Sequence, residues 1–345
     1  MALRSPHASG WKRHDLLPSN MKVSVLVVTY NQEAYIAEAI QSVLRQAVDF
    51  DYEIVIGEDN SSDRTREIVS DFAKKHPEKI SVLLQDLADS EGDRARGIGG
   101  KTNFLECLKA CRGQYVAFLD GDDYWTYVHK LQRQVDFLDQ HPDFAISCHN
   151  VRMLYEDETK EPVNLIPPGY REVSTIEDLF SVNFIPTCSA VFRRGLFNEL
   201  PDWFFTLKVG DWPIHIMNAQ YGKIGYINEV MAHYRVHNAG VWSATSPIDQ
   251  RREIIKMMDH LDGYLGFKYR KHIRAAKGGF NYEIAQIYYA QGDIALGRKY
   301  LVRYFWYSGF QERRNLVSLF LQLHVPVVYK SLRTLRDFAR SLTTA

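Results

Sequence analysis

Four cysteines in 345 residues are too few for a disulfide scaffold. Cys107 and Cys111 lie one helical turn apart, Cys148 and Cys188 stand alone, and no zinc-ligand spacing connects them. Four reduced thiols in a cytosolic setting are expected. Net charge is lacking as well: 42 Lys+Arg balance 42 Asp+Glu. A protein that coats nucleic acid through an overall basic surface is thereby disfavoured. Long hydrophobic runs are missing too. The first twenty residues, MALRSPHASGWKRHDLLPSN, hold no apolar signal-peptide core and are expected to form a disordered leader over 1–20. The longest low-charge run near the C-terminus, 315–329, has 15 residues, short of the ~20 apolar residues of a spanning helix. No G-x-G-x-x-G follows the first strand-like run, which argues against a dinucleotide oxidoreductase.

What is present is an ordinary globular composition, 46% apolar and 24% charged. The zero total hides a split. Residues 294–345 carry nine basic and two acidic side chains, +7, and residues 1–20 carry +2, so the remainder is −9. The body is acidic and the C-terminal end is basic.

The first half alternates strand and helix patterns. Val23–Thr29 is a β-branched run suited to a strand buried on both faces. A helical stripe follows over 33–45. Strands are expected at 53–56, 80–84 and 115–119, with helices at 63–76 and 102–110 and a glycine-rich loop at 92–100. This β-α-β-α order implies a parallel sheet with right-handed crossovers, whose ligands bind at the carboxyl ends of the strands. Polar residues gather at those ends: Thr29-Tyr30-Asn31, Glu58-Asp59 and Asp120–Asp123. Farther on, helices are expected at 129–140 and 211–220. Strands are expected at 144–148, 189–192, 224–227 and 230–236, several of them antiparallel. The last hundred residues read as helices at 248–265, 270–290, 294–306 and 327–342. Within them 282–304 resembles one tetratricopeptide-type helix-turn-helix, in a single copy.

Asp120, Asp122 and Asp123 crowd one strand end. Like charges this close raise one another's proton affinity unless a cation sits among them. Hard carboxylate oxygens suit Mg²⁺ or Mn²⁺, which bind one or two carboxylates together with substrate phosphates. A solvated turn is the competing reading, since Asp-Gly and Asp-Asp are common turn sequences.

Taken together, VSVLVVTYNQEAYIAEAIQSVLRQ, EIVIGEDNSSDRT and GQYVAFLDGDDYW resemble the opening of family 2 inverting glycosyltransferases of GT-A fold. The resemblance runs from 22 to about 150 and more weakly to about 243, through GDWPIHI and YRVHNAGVWS. It implies an α/β, GT-A-type wound nucleotide-binding sheet over 21–245, with a helical C-terminal extension over 246–345. It implies a nucleotide-sugar donor, UDP-sugar favoured, and a divalent metal on the diphosphate. Thr29 and Tyr30 would line the base and ribose with Glu33 nearby. Asp59 would accept the uracil N3–H, because an ionised carboxylate only accepts. Asp120 would touch the ribose and Asp122 would hold the metal. Lys101 would contact the diphosphate, at a position where the family often has Arg-Asn. Asp211 would be the base, in Gly210-Asp211-Trp212 where the family often has Glu-Asp. His237, in Arg235-Val236-His237 with Ser243 beyond, would be a further metal ligand or a diphosphate contact, and Arg235 a diphosphate or structural partner.

Trp125, Trp203, Trp212 and Trp242 are candidate sugar platforms, Trp212 foremost. The basic, aromatic segment 310–345 suggests contact with an anionic membrane surface. The expected placement is therefore cytoplasmic, peripheral on the inner face of the membrane, with a glycan or lipid-linked acceptor. Two alternatives stay open: an inactive GT-A-like carbohydrate-binding or scaffold protein, and a sugar-nucleotide pyrophosphorylase. The latter wants Gly and Lys in its first loop, where this chain has Tyr30-Asn31-Gln32-Glu33.

Overall fold

The backbone follows the hydrophobic pattern closely where that pattern is continuous. A computed structural model describes residues 21–85, 100–156, 160–197, 199–237, 242 and 245–308. The expected leader over 1–20, most of the glycine-rich loop, Ser243, and the expected helix and membrane contact within 310–345 lie outside the described residues. The chain divides into two compact units, Met1–Ala244 and Thr245–Ala345.

In the first unit β1 (Val23–Thr29) runs parallel to β2 (Tyr52–Glu58) and β4 (Tyr115–Asp120), and β3 (Ile80–Leu84) runs parallel to β2. The crossovers are α1 (Ile36–Leu44), α2 (Thr65–Lys75) and α3 (Lys101–Ala110). Val23, Val25 and Val27 of β1 and Ile54, Val55 and Ile56 of β2 are sealed from water, and α1 lays Ile36, Ile40 and Val43 on this layer. Each such side chain contributes ~1.5–3 kcal/mol of burial. The register matters for function. Thr29 pairs with Glu58 and Val28 with Asp120, so the polar ends of β1, β2 and β4 finish side by side.

The sheet continues as β3-β2-β1-β4-β9-β6-β10-β5. Here β5 is Tyr124–Trp125, β6 Phe144–Tyr155, β9 Val191–Arg193 and β10 Lys223–Val236; β7 (Val163–Asn164) and β8 (Val173–Ser174) pair at the side. One expectation is corrected. The segments 224–227 and 230–236 form one strand, β10, with register shifts at Ile227/Val230 and Val230/Ala232. A bulge lets a strand pass an irregular stretch without ending. This strand runs parallel to β6 and antiparallel to β5 and β8, while β9 is antiparallel to both its neighbours, β4 and β6. The remaining helices of the unit are α4 (Lys130–Gln140), α5 (Ile176–Ser181) and α6 (Asp211–Ala219).

All four cysteines are buried and free, as expected. Burial pushes the Cys107 and Cys148 thiols up to about 12, so neither is a thiolate nucleophile at neutral pH.

The second unit contains α7 (Pro247–Tyr264), α8 (Arg270–Ala290) and α9 (Ile294–Ser308). Ser246 caps α7, its hydroxyl accepting from the Asp249 N–H at 3.2 Å. Ile284, Tyr300, Leu301 and Tyr304 form the seam between α8 and α9, the helix-turn-helix read from the pattern. Among the described residues no helix is long and apolar enough to cross a membrane.

Candidate active site

Two loops join into a ledge at the ends of β1 and β2. Asn31, at φ 50°, turns the chain out of β1. Its N–H donates to Ser61 Oγ at 2.9 Å, and its Oδ1 accepts from the Ser62 N–H at 2.8 Å. The Gln32 N–H donates to Thr65 Oγ1 at 2.8 Å. Glu33 N–H donates to Asp63 Oδ2 at 3.0 Å, while Glu33 Oε2 accepts from the Arg64 N–H at 2.9 Å. Glu33 thus braces the two loops at the exposed rim of the ledge. Thr29 is buried, its hydroxyl donating to Gln32 Oε1 at 2.8 Å; Tyr30 beside it is 41% exposed. Asp59 is buried at the inner edge, its N–H donating to Thr29 O at 3.1 Å. Glu58 beneath it is an anchor, accepting from Ser61 N–H at 2.6 Å and from Arg66 Nε at 2.5 Å.

The acidic turn after β4 faces this ledge. The Gly121 N–H donates to Val28 O at 2.9 Å, and Asp123 N–H to Asp120 O at 3.0 Å. A Cβ at Gly121 would collide with Gln32 Oε1 and come within 2.8 Å of Thr29 Oγ1, so the turn needs a glycine there. Burial, then the charges of Asp122 and Asp211, push Asp120 up to about 8 against a bond from Thr187. Burial, then Asp122 and Asp120, also hold Asp123 well above the carboxylate range. Asp123 Oδ1 accepts from the Arg235 N–H at 2.8 Å. Arg235 settles as a brace: it donates to Asp122 O and to Glu38 Oε2, each at 2.5 Å, with Tyr124 and Tyr35 rings at 4.6 and 5.1 Å. His237 Nε2 lies 2.9 Å from Asp122 Oδ2, and that bond raises the proton affinity of the imidazole.

Asp211 opens α6. It is the first helical residue, preceded by Gly210 at the cap position, so its side chain does not serve as the helix N-cap. Its Oδ2 accepts from Asn183 Nδ2 at 2.9 Å, and Asn183 Oδ1 accepts from the Ile185 N–H at 3.2 Å. The charge of Asp211 adds to the upward push on Asp120, so the two carboxylates lie near one another. Lys101, only 5% exposed, donates from Nζ to Val209 O at 2.6 Å and stands 4.2 Å from the Phe204 ring centre.

Asn183 and Tyr35 are not legible in the sequence, and of the two readings of Arg235 the contacts found here are those of a structural partner. Asn183 lies 28 residues from Asp211 with no motif around it. Two of the tryptophans are corrected. Trp212 and Trp125 are 5% and 2% exposed, their indoles donating to Leu179 O at 2.7 Å and Cys188 O at 2.9 Å. Both are core residues and offer no face to a sugar.

Among the described residues no group of three or more His, Cys, Asp or Glu side chains is arranged to hold a metal alone. Asp122 and His237 supply two donors side by side. That set fits a cation completing its shell with diphosphate oxygens and water, the usual habit of Mg²⁺. The mutual repulsion of Asp120, Asp122 and Asp123 is the electrostatic demand such a cation would meet.

Comparison with known proteins agrees with this geometry. The Mycobacterium tuberculosis protein Rv1520, itself uncharacterised, is 35% identical over 239 residues, 69% of this chain and 65% of that protein. The chain therefore spans just under two thirds of that relative. A solved structure of Staphylococcus aureus TarS 1–349 in complex with UDP-GlcNAc matches with TM-score 0.52 at 20% identity, covering 82% of this chain and 91% of that one. The mannosyltransferase PcManGT from Pyrobaculum calidifontis, in complex with GDP-Man and Mn²⁺, matches with TM-score 0.52 at 15% identity, covering 93% and 85%. These likenesses establish the GT-A fold. The model of the family "Glycosyl transferase family 2" matches residues 24–201, more than half of the chain, and the three strand-end motifs all fall inside that match. The chain belongs to glycosyl transferase family 2.

Proposed function

We propose that the chain is an inverting glycosyltransferase that moves a sugar from a nucleotide-sugar, UDP-sugar favoured, to a hydroxyl of a glycan or lipid-linked acceptor. The observation that carries this reading is the register that ends β1, β2 and β4 side by side at Thr29, Glu58 and Asp120, with His237 Nε2 2.9 Å from Asp122 Oδ2 beside them.

The chemistry balances with these residues. Asp211 takes the acceptor hydroxyl proton as general base. The acceptor oxygen then bonds to the anomeric carbon from the face opposite the leaving group. The bond from that carbon to the phosphate oxygen breaks, and its electron pair leaves with the nucleoside diphosphate. Asn183 holds Asp211 Oδ2 at 2.9 Å, which steadies the carboxylate for this task. Thr29 and Tyr30 wall the nucleoside, Asp59 accepts the uracil N3–H, and Asp120 reaches the ribose. A divalent cation, Mg²⁺ or Mn²⁺, would be held by Asp122 with His237 and would supply Lewis-acid stabilisation of the leaving diphosphate. The catalytic region is 21–245; the helical region 246–345 faces a membrane or a partner, with the basic segment 310–345 directed to an anionic membrane surface.

The deciding experiment incubates the full chain with UDP-, TDP-, GDP- and CDP-sugars and Mn²⁺, scoring thermal shift and then nucleoside diphosphate release with a glycan acceptor panel. A selective shift by UDP-sugars and their turnover support the reading. No shift and no turnover with any of them would overturn it. Flotation with anionic vesicles tests the tail: equal binding after deleting 310–345, or none by the full chain, would remove the membrane contact.

A further inference from the structure

Lys101 carries an unusual burden for a lysine at a helix start. It is the first residue of α3, entered through Gly100 at φ 73°, yet its side chain is buried and not extended into solvent. Burying an ammonium is expensive unless strong acceptors meet it. Here the acceptor is Val209 O at 2.6 Å, and the Phe204 ring lies 4.2 Å from the charge. Both partners come from the segment that leads directly into α6. Val209 stands two residues before Asp211.

Gly210 shows how closely this lysine fits. A Cβ placed on Gly210 would lie 3.1 Å from Lys101 Nζ, with no other atom so near. The backbone at Gly210 has φ −114°, open to any residue, so no backbone need selects glycine there. The missing side chain leaves room for the ammonium. The carbonyl before Gly210, two residues ahead of the Asp211 carboxylate, is therefore held by a side chain from a helix 108 residues earlier in the chain.

We infer that Lys101 is a positioning residue for Asp211. It pins the Val209 carbonyl, and through that peptide it fixes where the first turn of α6 begins and where Asp211 presents its carboxylate. This rests on the proposed role of Asp211 as base. It differs from a direct contact of Lys101 with the donor diphosphate, because the ammonium acts on the acceptor side of the reaction through the backbone.

The two roles separate in kinetics. With the full chain, Mn²⁺ and the nucleotide-sugar that the wild type turns over, Lys101→Met is expected to lower kcat about 10–100-fold, the range of a misplaced catalytic group. Donor KM and the affinity for UDP measured calorimetrically stay within about twofold. Lys101→Arg, which keeps a cationic donor, recovers part of kcat. Gly210→Ala, which keeps the lysine and displaces its ammonium, lowers kcat in the same direction with a smaller change in Tm. In an Asp211→Asn background Lys101→Met has no further effect, the signature of acting through the base. Weakened UDP binding with kcat retained would assign Lys101 to the diphosphate and overturn the inference. Additive losses with Asp211→Asn, or wild-type kcat in both Lys101→Met and Gly210→Ala, would overturn it equally. Should Lys101→Met fail to fold, Gly210→Ala and Lys101→Arg decide. A wild type that turns over no nucleotide-sugar defeats the transferase reading itself, whereas an active wild type with indifferent variants defeats only the role of Lys101.

Discussion

Asn183 donates its side-chain amide to Asp211 Oδ2 at 2.9 Å, and its own carbonyl oxygen accepts from the Ile185 N–H. The carboxylate is thereby held on one oxygen, which would steady it in the proposed role of general base. Asp211→Asn is expected to lower kcat about 10²–10⁴-fold, the usual weight of such a group. Asn183→Ala leaves the base in place but unheld, and a loss of about tenfold in kcat follows from the freed rotamer. Steady-state kinetics of both variants, with Tm to exclude unfolding, checks the pair. An Asn183→Ala enzyme at wild-type kcat would show that the bond is incidental.

Metal dependence follows from the donor set. Asp122 and His237 offer two ligands among the described residues and nothing arranged to complete a shell, so the cation should bind weakly to the free protein and tightly with a diphosphate. Calorimetry should show Mn²⁺ binding strengthened at least about tenfold by UDP, a coupling that works in both directions. EDTA should abolish turnover and Mn²⁺ or Mg²⁺ restore it. Asp122→Ala should remove the coupling. Sustained turnover in EDTA would end the metal proposal.

The parts of this site that could be read in advance are those carried by short contiguous runs. Continuous β-branched segments marked β1, and the polar residues closing β1, β2 and β4 marked the strand ends that the register then aligned. Asp122 and His237 were each singled out, and the structure sets them 2.9 Å apart. What could not be read depends on contacts between distant segments. Nothing local tells that Arg235 turns back to Asp122 O and Glu38, or that Trp212 points inward to Leu179 O, since an aromatic beside an acid looks the same whichever way it faces. The single strand β10 was split because its bulges interrupt the two-residue alternation that strand reading relies on.

Nucleoside choice is testable at Asp59. Its carboxylate, buried at the end of β2 beside Thr29, is proposed to accept the uracil N3–H. Cytosine N3 is itself an acceptor, so an ionised Asp59 repels it. Asp59→Asn introduces an amide that can donate to cytosine N3. UDP affinity should fall roughly tenfold and CDP affinity should rise by a similar factor, about the value of one hydrogen bond exchanged for an unpaired group. Competition calorimetry with the two nucleotides reads this directly. Unchanged UDP preference in the variant would move uracil recognition elsewhere on the ledge.

Lys130 gives the fold a pH dependence of its own. The side chain is fully buried at the start of α4, with its ammonium 3.8 Å from the Trp125 ring centre and no hydrogen-bond partner among the described residues. Burial pulls its pKa from 10.5 down to about 7. Its neighbours do not titrate against it: burial, and then the charge of Lys130, keep His149 neutral, and burial holds the Cys188 thiol protonated. Between about 7 and 10.5 the unfolded chain holds the proton and the folded chain does not, so folding stability rises with pH across that window. Below about 7 both states hold it and the contribution is flat. Attraction of the ammonium to Trp125 offsets part of the burial penalty. Lys130→Met removes the group, and its stability relative to wild type should be greatest at pH 6–7. That advantage should shrink on the order of 2 kcal/mol by pH 9. Urea unfolding of both proteins from pH 6 to 9 reads this residue, because titrating groups remote from Lys130 cancel in the difference. Parallel curves over that range would mean that Lys130 keeps its proton in the core.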